Sequence, residues 1–294
     1  MKIIKKLIIS IIVIIGIAAV ALIGVYIAAR VKLGVDLFRT MGQLKTLSQP
    51  INETDTFPLI YQDDDFAELK TQMDSQIGSI INYEKDKGYK GYSIDFTALA
   101  LAGSTAKYVF LTEQQTGALA EIVFHQQTGG SITIANKEIS ICILQIAFTQ
   151  INSETGNADL NVTVKLDLTP FKNDMKGFPF KMLKEKVPDA LYVTSVVSIE
   201  KQEGLNYNVT PKYITLNNLS KEDTSDFFHT LDVVLKIESA EDLTAKIGTT
   251  AANALIGTKQ NPGFIYVLKA NGGSGSFGFI TIEDHGKQIN VLVF

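Results

Sequence analysis

Cysteine is nearly missing from this chain of 294 residues: Cys142 is the only one. A single thiol excludes an internal disulfide and every paired-cysteine metal or redox motif. The fold must therefore hold by packing, and Cys142, set within Ile141-Cys142-Ile143, reads as a small buried hydrophobe. Histidine is almost as scarce, and His125, His229 and His285 lie too far apart in the sequence for a local zinc motif. The patterns H-E-x-x-H and G-x-S-x-G are both absent. No catalytic, metal or cofactor residue is nominated on these grounds, and a non-enzyme is expected. Acids are missing from the first thirty residues, which hold four of the 27 Lys and Arg. The remainder carries 23 basic against 31 acidic residues, a net of −8, which argues against nucleic acid as a partner.

What the chain does have is an unbroken apolar run over residues 7–29, flanked by Lys2, Lys5 and Lys6 before it and by Arg30 and Lys32 after it. Twenty-three helical residues rise about 34 Å, enough to cross a hydrocarbon core of about 30 Å. Ala19-Val20-Ala21 resembles a signal-peptidase site. However, the run continues apolar through Leu22, Ile23, Val25, Tyr26 and Ile27, as an uncleaved signal anchor does and a cleaved signal does not. The excess of lysine before the run, and the six residues there against some 265 after it, orient the N-terminus to the cytoplasm. The expected layout is a cytoplasmic N-terminus (1–6), a transmembrane signal anchor (7–29), a stalk or linker (30–62) and an extracytoplasmic α+β domain (63–294).

Within the exterior part, helical spacing of Phe66, Leu69, Met73, Ile77, Ile80 and Ile81 predicts a helix from Phe66 to about Lys85, with Asp65 as N-cap and Glu68 three residues on. Asp63-Asp64-Asp65 suits the positive end of that helix better than calcium, since the alternating ligands and turn glycine of an EF-hand are missing. A strand is expected from Tyr92 to Leu101 and another at Tyr108 to Leu111. A second helix follows, capped by Thr112 and Gln115, with Leu119, Ile122 and Val123 buried and His125 meeting its C-terminus. Past Ser131 the apolar period becomes two. Ile139, Ile141 and Ile143 alternate in one phase and Leu144, Ile146 and Phe148 in the other, which predicts a β-bulge near Ile143. Strands from Asp159 to Leu168, from Leu191 to Ile199 and from Leu205 onward each have one apolar face, as in an antiparallel sheet covered on one side. A short helix or turn is expected around Phe178 to Lys184. Ser220 then caps a helix bearing Phe227, Phe228, Leu231, Val234 and Leu235. A further helix carries Leu243, Ile247 and Leu255 and ends at Gly257, and strands follow at Phe264 to Leu268, Phe277 to Ile282 and Ile289 to Phe294.

Several motifs match patterns without the required context. Gly273 to Gly278 spells G-x-G-x-x-G between two expected strands, where a dinucleotide fingerprint needs a strand before it and a helix after. Ser104 to Lys107 spells S-x-x-K, but S-D-N and K-T-G are absent. Of the four sequons, those at Asn161 and Asn208 fall in expected strands.

The order of anchor, capped helix, one-sided strands, the helix entered by Leu111-Thr112-Glu113-Gln114-Gln115 and the final hairpin, Gly278 to Ile282 with Asn290 to Phe294, resembles the YpmS-like membrane-anchored proteins of Gram-positive bacteria. More distantly it looks like the TULIP architecture, in which a twisted antiparallel sheet wraps a long helix around a lipid tunnel. The resemblance implies binding or shuttling of a lipid or other apolar molecule beside the membrane. The groove would lie on the inner faces of the strands carrying Val162, Val164, Val193 and Val197, closed by the helix carrying Phe228, Leu231 and Leu235. A non-catalytic scaffold or assembly factor with an envelope protein partner is the alternative class, and an enzyme acting on envelope substrates is the third. No cofactor is expected.

Overall fold

The helix that the sequence marks most strongly organises the molecule. The computed structural model describes residues 37–103, 108–134, 137–152, 154–155, 157–174, 187–203, 207–235, 240–270, 278–284 and 287–293. The apolar run 7–29, the segment 178–184, the S-x-x-K match, His285 and most of the glycine-rich match lie outside them. No helix among the described residues is long and apolar enough to cross a membrane.

The architecture is mixed α+β, with antiparallel sheets and packed helices. In chain order it begins with α1 (Leu37–Leu47), α2 (Glu53–Thr56), α3 (Asp63–Gln76), β1 (Ile81–Tyr83), β2 (Tyr92–Ile94), α4 (Phe96–Ala102), β3 (Tyr108–Thr112) and α5 (Glu113–Thr128). A five-stranded meander follows: β4 (Ser131–Ile134), β5 (Lys137–Asn152), β6 (Asn157–Asp167), β7 (Ala190–Lys201) and β8 (Tyr207–Leu216), with α6 (Thr169–Asp174) between β6 and β7. Three helices, α7 (Lys221–Leu235), α8 (Ala240–Leu255) and α9 (Phe264–Ala270), precede the hairpin of β9 (Gly278–Asp284) and β10 (Lys287–Val293).

Helix α5 starts where the sequence says. Thr112 Oγ1 accepts from the Gln115 N–H at 3.1 Å and Gln115 Oε1 accepts from the Thr112 N–H at 3.0 Å, closing the capping box. Gly129, at φ 79°, ends it in the left-handed conformation that favours glycine. Leu119, Ile122 and Val123 are fully buried as expected, but so is every residue from Gln115 to Phe124. A helix covered on all sides is a core element. It packs on β5, α3 and α8.

Leu160, Val162, Val164 and Leu166 of β6 pair across the sheet with Val197, Ser195, Val193 and Leu191 of β7, forming the inner face. Helix α8 lies over β6, β7 and β8 on that side. The expected bulge is present as a register shift between Ile143 and Gln145. Two further shifts occur between Phe148 and Gln150 of β5 and, in the β7–β8 pairing, between Val196 and Val197. The final hairpin forms as expected, and β10 also pairs with β3, Val291 opposite Phe110, so β10 lies in the middle of a three-stranded sheet.

Three expected elements differ. The helix begun at Phe66 starts three residues earlier and ends at Gln76. Gln62 is its N-cap, and Asp65 serves as the third helical residue, accepting from the Gln62 N–H at 2.5 Å. Gly78, at φ 93°, breaks it, so Ile80 and Ile81, which prolong the helical stripe in sequence, are buried from an extended segment instead. The strand expected from Tyr92 to Leu101 stops at Ile94 because the Asp95 carboxylate accepts from the Thr97 and Ala98 N–H groups, both at 2.9 Å, and starts a helix. Residues Phe264 to Leu268 form a helix, not a strand. Phe264, Ile265 and Leu268 are buried at helical spacing, and the Val267 N–H reaches the Gly263 carbonyl at 3.1 Å.

The stretch expected as a stalk packs onto the domain from α1 onward. Leu44, Leu47 and Tyr61 belong to the main core. Arg39 forms ion pairs with Asp223 and Asp226 at the start of α7, and the Asn217 amide donates to the Leu47 carbonyl at 2.8 Å. Residues 51–60 then strap the outer face of the sheet. Phe57 stacks tilted on Tyr192 with ring centres 5.5 Å apart, and Glu53 Oε1 accepts from Lys165 Nζ at 2.5 Å and from the Tyr192 hydroxyl at 2.7 Å. Burial alone would raise the Glu53 pKa, but these two donors hold it below its ordinary value. The sheet, expected to be covered on one side, is thus partly covered on both. Phe57→Ala is expected to detach the strap and cost about 3 kcal/mol. Hydrogen exchange should then speed up across residues 51–61 and at Cys142 while α5 stays protected.

Candidate functional site

The nominated apolar residues come together only in part. Val162, Val164, Val193, Val197 and Phe228 are all 0 % exposed, so in this conformation none of them lines a void large enough for water. The helix above the valines is α8. Helix α7, the expected cover, packs on β8, α8 and α1. Leu231 and Leu235 lie in α7, with side chains outside the described ones.

Beneath α8 one polar group interrupts this apolar face. Ser195 occupies the inward phase between Val193 and Val197, fully buried, and its hydroxyl finds no hydrogen-bond partner. It lies directly under Gly248, where an added Cβ would stand 2.2 Å from Ser195 Cβ and 2.3 Å from its Oγ. Ala251, Ala252 and Ala254 continue the same small-residue helix, each 0 % exposed. Helix and sheet therefore approach closely because side chains at the contact are small. The sequence signal was available, as a lone serine in the apolar phase of a strand.

A second polar group lies on the other side of the core. Glu121 sits inside the apolar run Ala118-Leu119-Ala120-Glu121-Ile122-Val123-Phe124 of α5 and is 0 % exposed. Its Oε2 accepts from the Ile143 N–H at 2.6 Å, at the bulge of β5, and its Oε1 is unpartnered. A bulge displaces a strand's N–H groups from their ladder, and Glu121 satisfies this one. Burial pushes the Glu121 pKa up to about 8, against the opposing pull of the Ile143 N–H and the Lys90 ammonium. Around it stand Tyr61, Tyr89 and Cys142, and the Tyr61 hydroxyl is buried without a hydrogen-bond partner. Gln145 follows the bulge, its Oε1 also buried and unpartnered. Burial, and secondarily the Glu121 charge, pushes the Cys142 thiol up to about 12, so it stays protonated and unreactive. Cys142 is half-buried under the strap, a little more open than the sequence suggested. Glu121 can hold or release a proton near neutrality, but a fully enclosed carboxyl reaches no substrate.

The remaining sequence candidates have structural roles. His125 stacks on Tyr89 at 5.4 Å, and burial lowers its pKa. It stands in the last turn of α5, as expected, and the lowered pKa favours its neutral form there. His229, expected at the edge of a buried face, is exposed. Asp63 pairs with Lys90, and no group of metal-ligating side chains occurs among the described residues. The glycine-rich match follows helix α9 and precedes strand β9, the reverse of a dinucleotide-binding frame. No protein family, curated protein or solved structure matches this chain.

Proposed function

We propose that the protein is a membrane-anchored extracytoplasmic domain that binds a lipid or other apolar molecule between α8 and the inner face of β6–β8. The observation that carries this reading is the unpartnered Ser195 hydroxyl at the centre of the apolar face, covered by a helix of small residues. A buried hydroxyl without a partner costs on the order of 1–3 kcal/mol. A ligand carbonyl or hydroxyl arriving as α8 lifts would satisfy it, while the valines take the chain. The resemblance to YpmS-like proteins, and more distantly to lipid-tunnel folds, belongs with this proposal and rests on element order. So does the anchor at residues 7–29. Folded contacts begin at Arg39, and the seven residues 30–36 reach at most about 25 Å even when extended, which would keep the domain against the bilayer.

The test is a photoactivatable fatty acid added to membranes containing the full chain, with adducts mapped by mass spectrometry. Adducts on β7 near Ser195 or on α8 are expected, and Ser195→Val should reduce them severalfold. Adducts confined to residues 7–29 would count against the proposal. A second reading, a non-catalytic scaffold that engages an envelope protein, is favoured by the complete burial of the four valines, as in a solid core. It predicts adducts in the anchor alone.

A further inference from the structure

At the far end of the same sheet the structure holds a polar pocket of about 340 Å³ on the surface, lined among others by Gln150, Asn157, Asp159, Ser198, Glu200 and Lys212. Its position follows from the register. Asp159 pairs with Gln150 on one side and with Ser198 on the other, close to the β5–β6 turn. The α1 end of the sheet, where Asn217 binds the Leu47 carbonyl and the Tyr192 N–H, is six residues of β7 away from Ser198, about 20 Å. Two backbone irregularities converge on this level. The shift between Phe148 and Gln150 sets Gln150 opposite Asp159, and the shift opposite Val196 and Val197 makes Lys212 the extra residue of β8. Bulges re-aim side chains, and Lys212 Nζ reaches across β7 to Asp159 Oδ2 at 2.5 Å. Asp159 is itself 7 % exposed and pairs with that ammonium at the pocket floor. Asn157 commits its carbonyl oxygen to the Lys201 N–H at 2.9 Å, which leaves its NH₂ as a donor for a ligand. Glu200 is exposed and makes no ion pair among the described residues.

We propose that this pocket binds a sugar-sized, hydroxyl-rich molecule bearing an amino group. The volume is at the lower end of the small-molecule range. Its lining offers amide donors and carboxylate and hydroxyl acceptors, the complement of a ring of hydroxyls. The Asp159 and Lys212 charges cancel, so the surplus charge is the Glu200 carboxylate, which selects a cation. Asp159 and Ser198 stand in the strand phase opposite to Val162 and Ser195, so the site lies on the other face of the sheet from the apolar contact under α8.

Saturation-transfer NMR on the full chain in detergent micelles, with glucosamine and glucose as probes at millimolar concentration, tests this. Saturation transfer to the ring protons of glucosamine is expected, with glucose binding about three- to fivefold more weakly, as one exposed ion pair allows. Glu200→Gln should abolish the preference, and Lys212→Met, which leaves the Asp159 carboxylate unpaired beside Glu200, should widen it. Both side chains are exposed, and a cooperative melting transition in each variant would show that it folds. No transfer to either sugar, equal transfer to both, or a preference that survives Glu200→Gln would each overturn the proposal.

Discussion

Glu121→Gln is expected to stabilise the protein at alkaline pH and to remove most of the loss of stability between acid and mildly alkaline solution. The folded Glu121 carboxyl titrates at about 8, against an ordinary 4.5, because burial penalises its charge. Its raised pKa favours folding fully below about 4.5, where both states are protonated. Above that value the unfolded chain releases a proton that the folded one keeps, so stability falls as pH rises, and the loss levels off above about 8. The full shift corresponds to roughly 3–5 kcal/mol. Glutamine retains a carbonyl oxygen for the Ile143 N–H and cannot ionise. Urea unfolding of both proteins at acid and alkaline pH checks this. The wild type should lose several kcal/mol across the range beyond any loss in the variant, and parallel pH profiles would show that Glu121 is not enclosed as described. Glu121→Leu leaves the Ile143 N–H at the bulge unsatisfied, so it should be destabilising at acid pH, where glutamine is tolerated.

Gly248→Ala should destabilise the protein by about 2–3 kcal/mol. Substituting alanine for glycine inside an exposed helix gains about 1 kcal/mol. Here the added methyl would stand 2.2 Å from Ser195 Cβ, so α8 must be pushed off the sheet. The expected sign is therefore opposite to the helix-propensity expectation. Ser195→Gly removes both of the closest atoms, the next being Ser195 Cα at 3.7 Å, an ordinary contact. The double variant should recover most of the loss, and the two substitutions should couple strongly in a double-mutant cycle. A stabilising Gly248→Ala, or additive effects, would place α8 farther from β7 than described.

The parts of this fold that were legible in the sequence are those fixed by local chemistry. The Thr112 to Gln115 capping box, the Ser220 cap, whose Oγ accepts from the Asp223 N–H at 3.0 Å, and the change of alternation at Ile143 all specify geometry within a few residues. The misread elements are those that tertiary contacts decide. The sequence Phe96-Thr97-Ala98-Leu99-Ala100-Leu101-Ala102 alternates like a strand, yet the Asp95 cap and packing against α9 make it a helix, leaving Leu101 72 % exposed. Ile80 and Ile81 continue a helical stripe past a glycine that ends the helix. The strap could not be read, because Phe57 and Glu53 find their partners more than a hundred residues away at Tyr192 and Lys165. For the candidate site the valines were legible as an inner face. Which helix covers them was not, since α7 and α8 are both amphipathic and their docking is set by the small surface around Gly248. Ser195 and Glu121 were visible only as single polar residues in apolar segments.

The proposed function depends on a site for an apolar ligand beneath α8. Native mass spectrometry of the full chain, extracted from membranes and released from its detergent in the gas phase, tests it most directly. A population carrying one lipid mass per chain, diminished in Ser195→Val, is expected. A lipid-free mass alone, before and after incubation with membrane lipids, would contradict it.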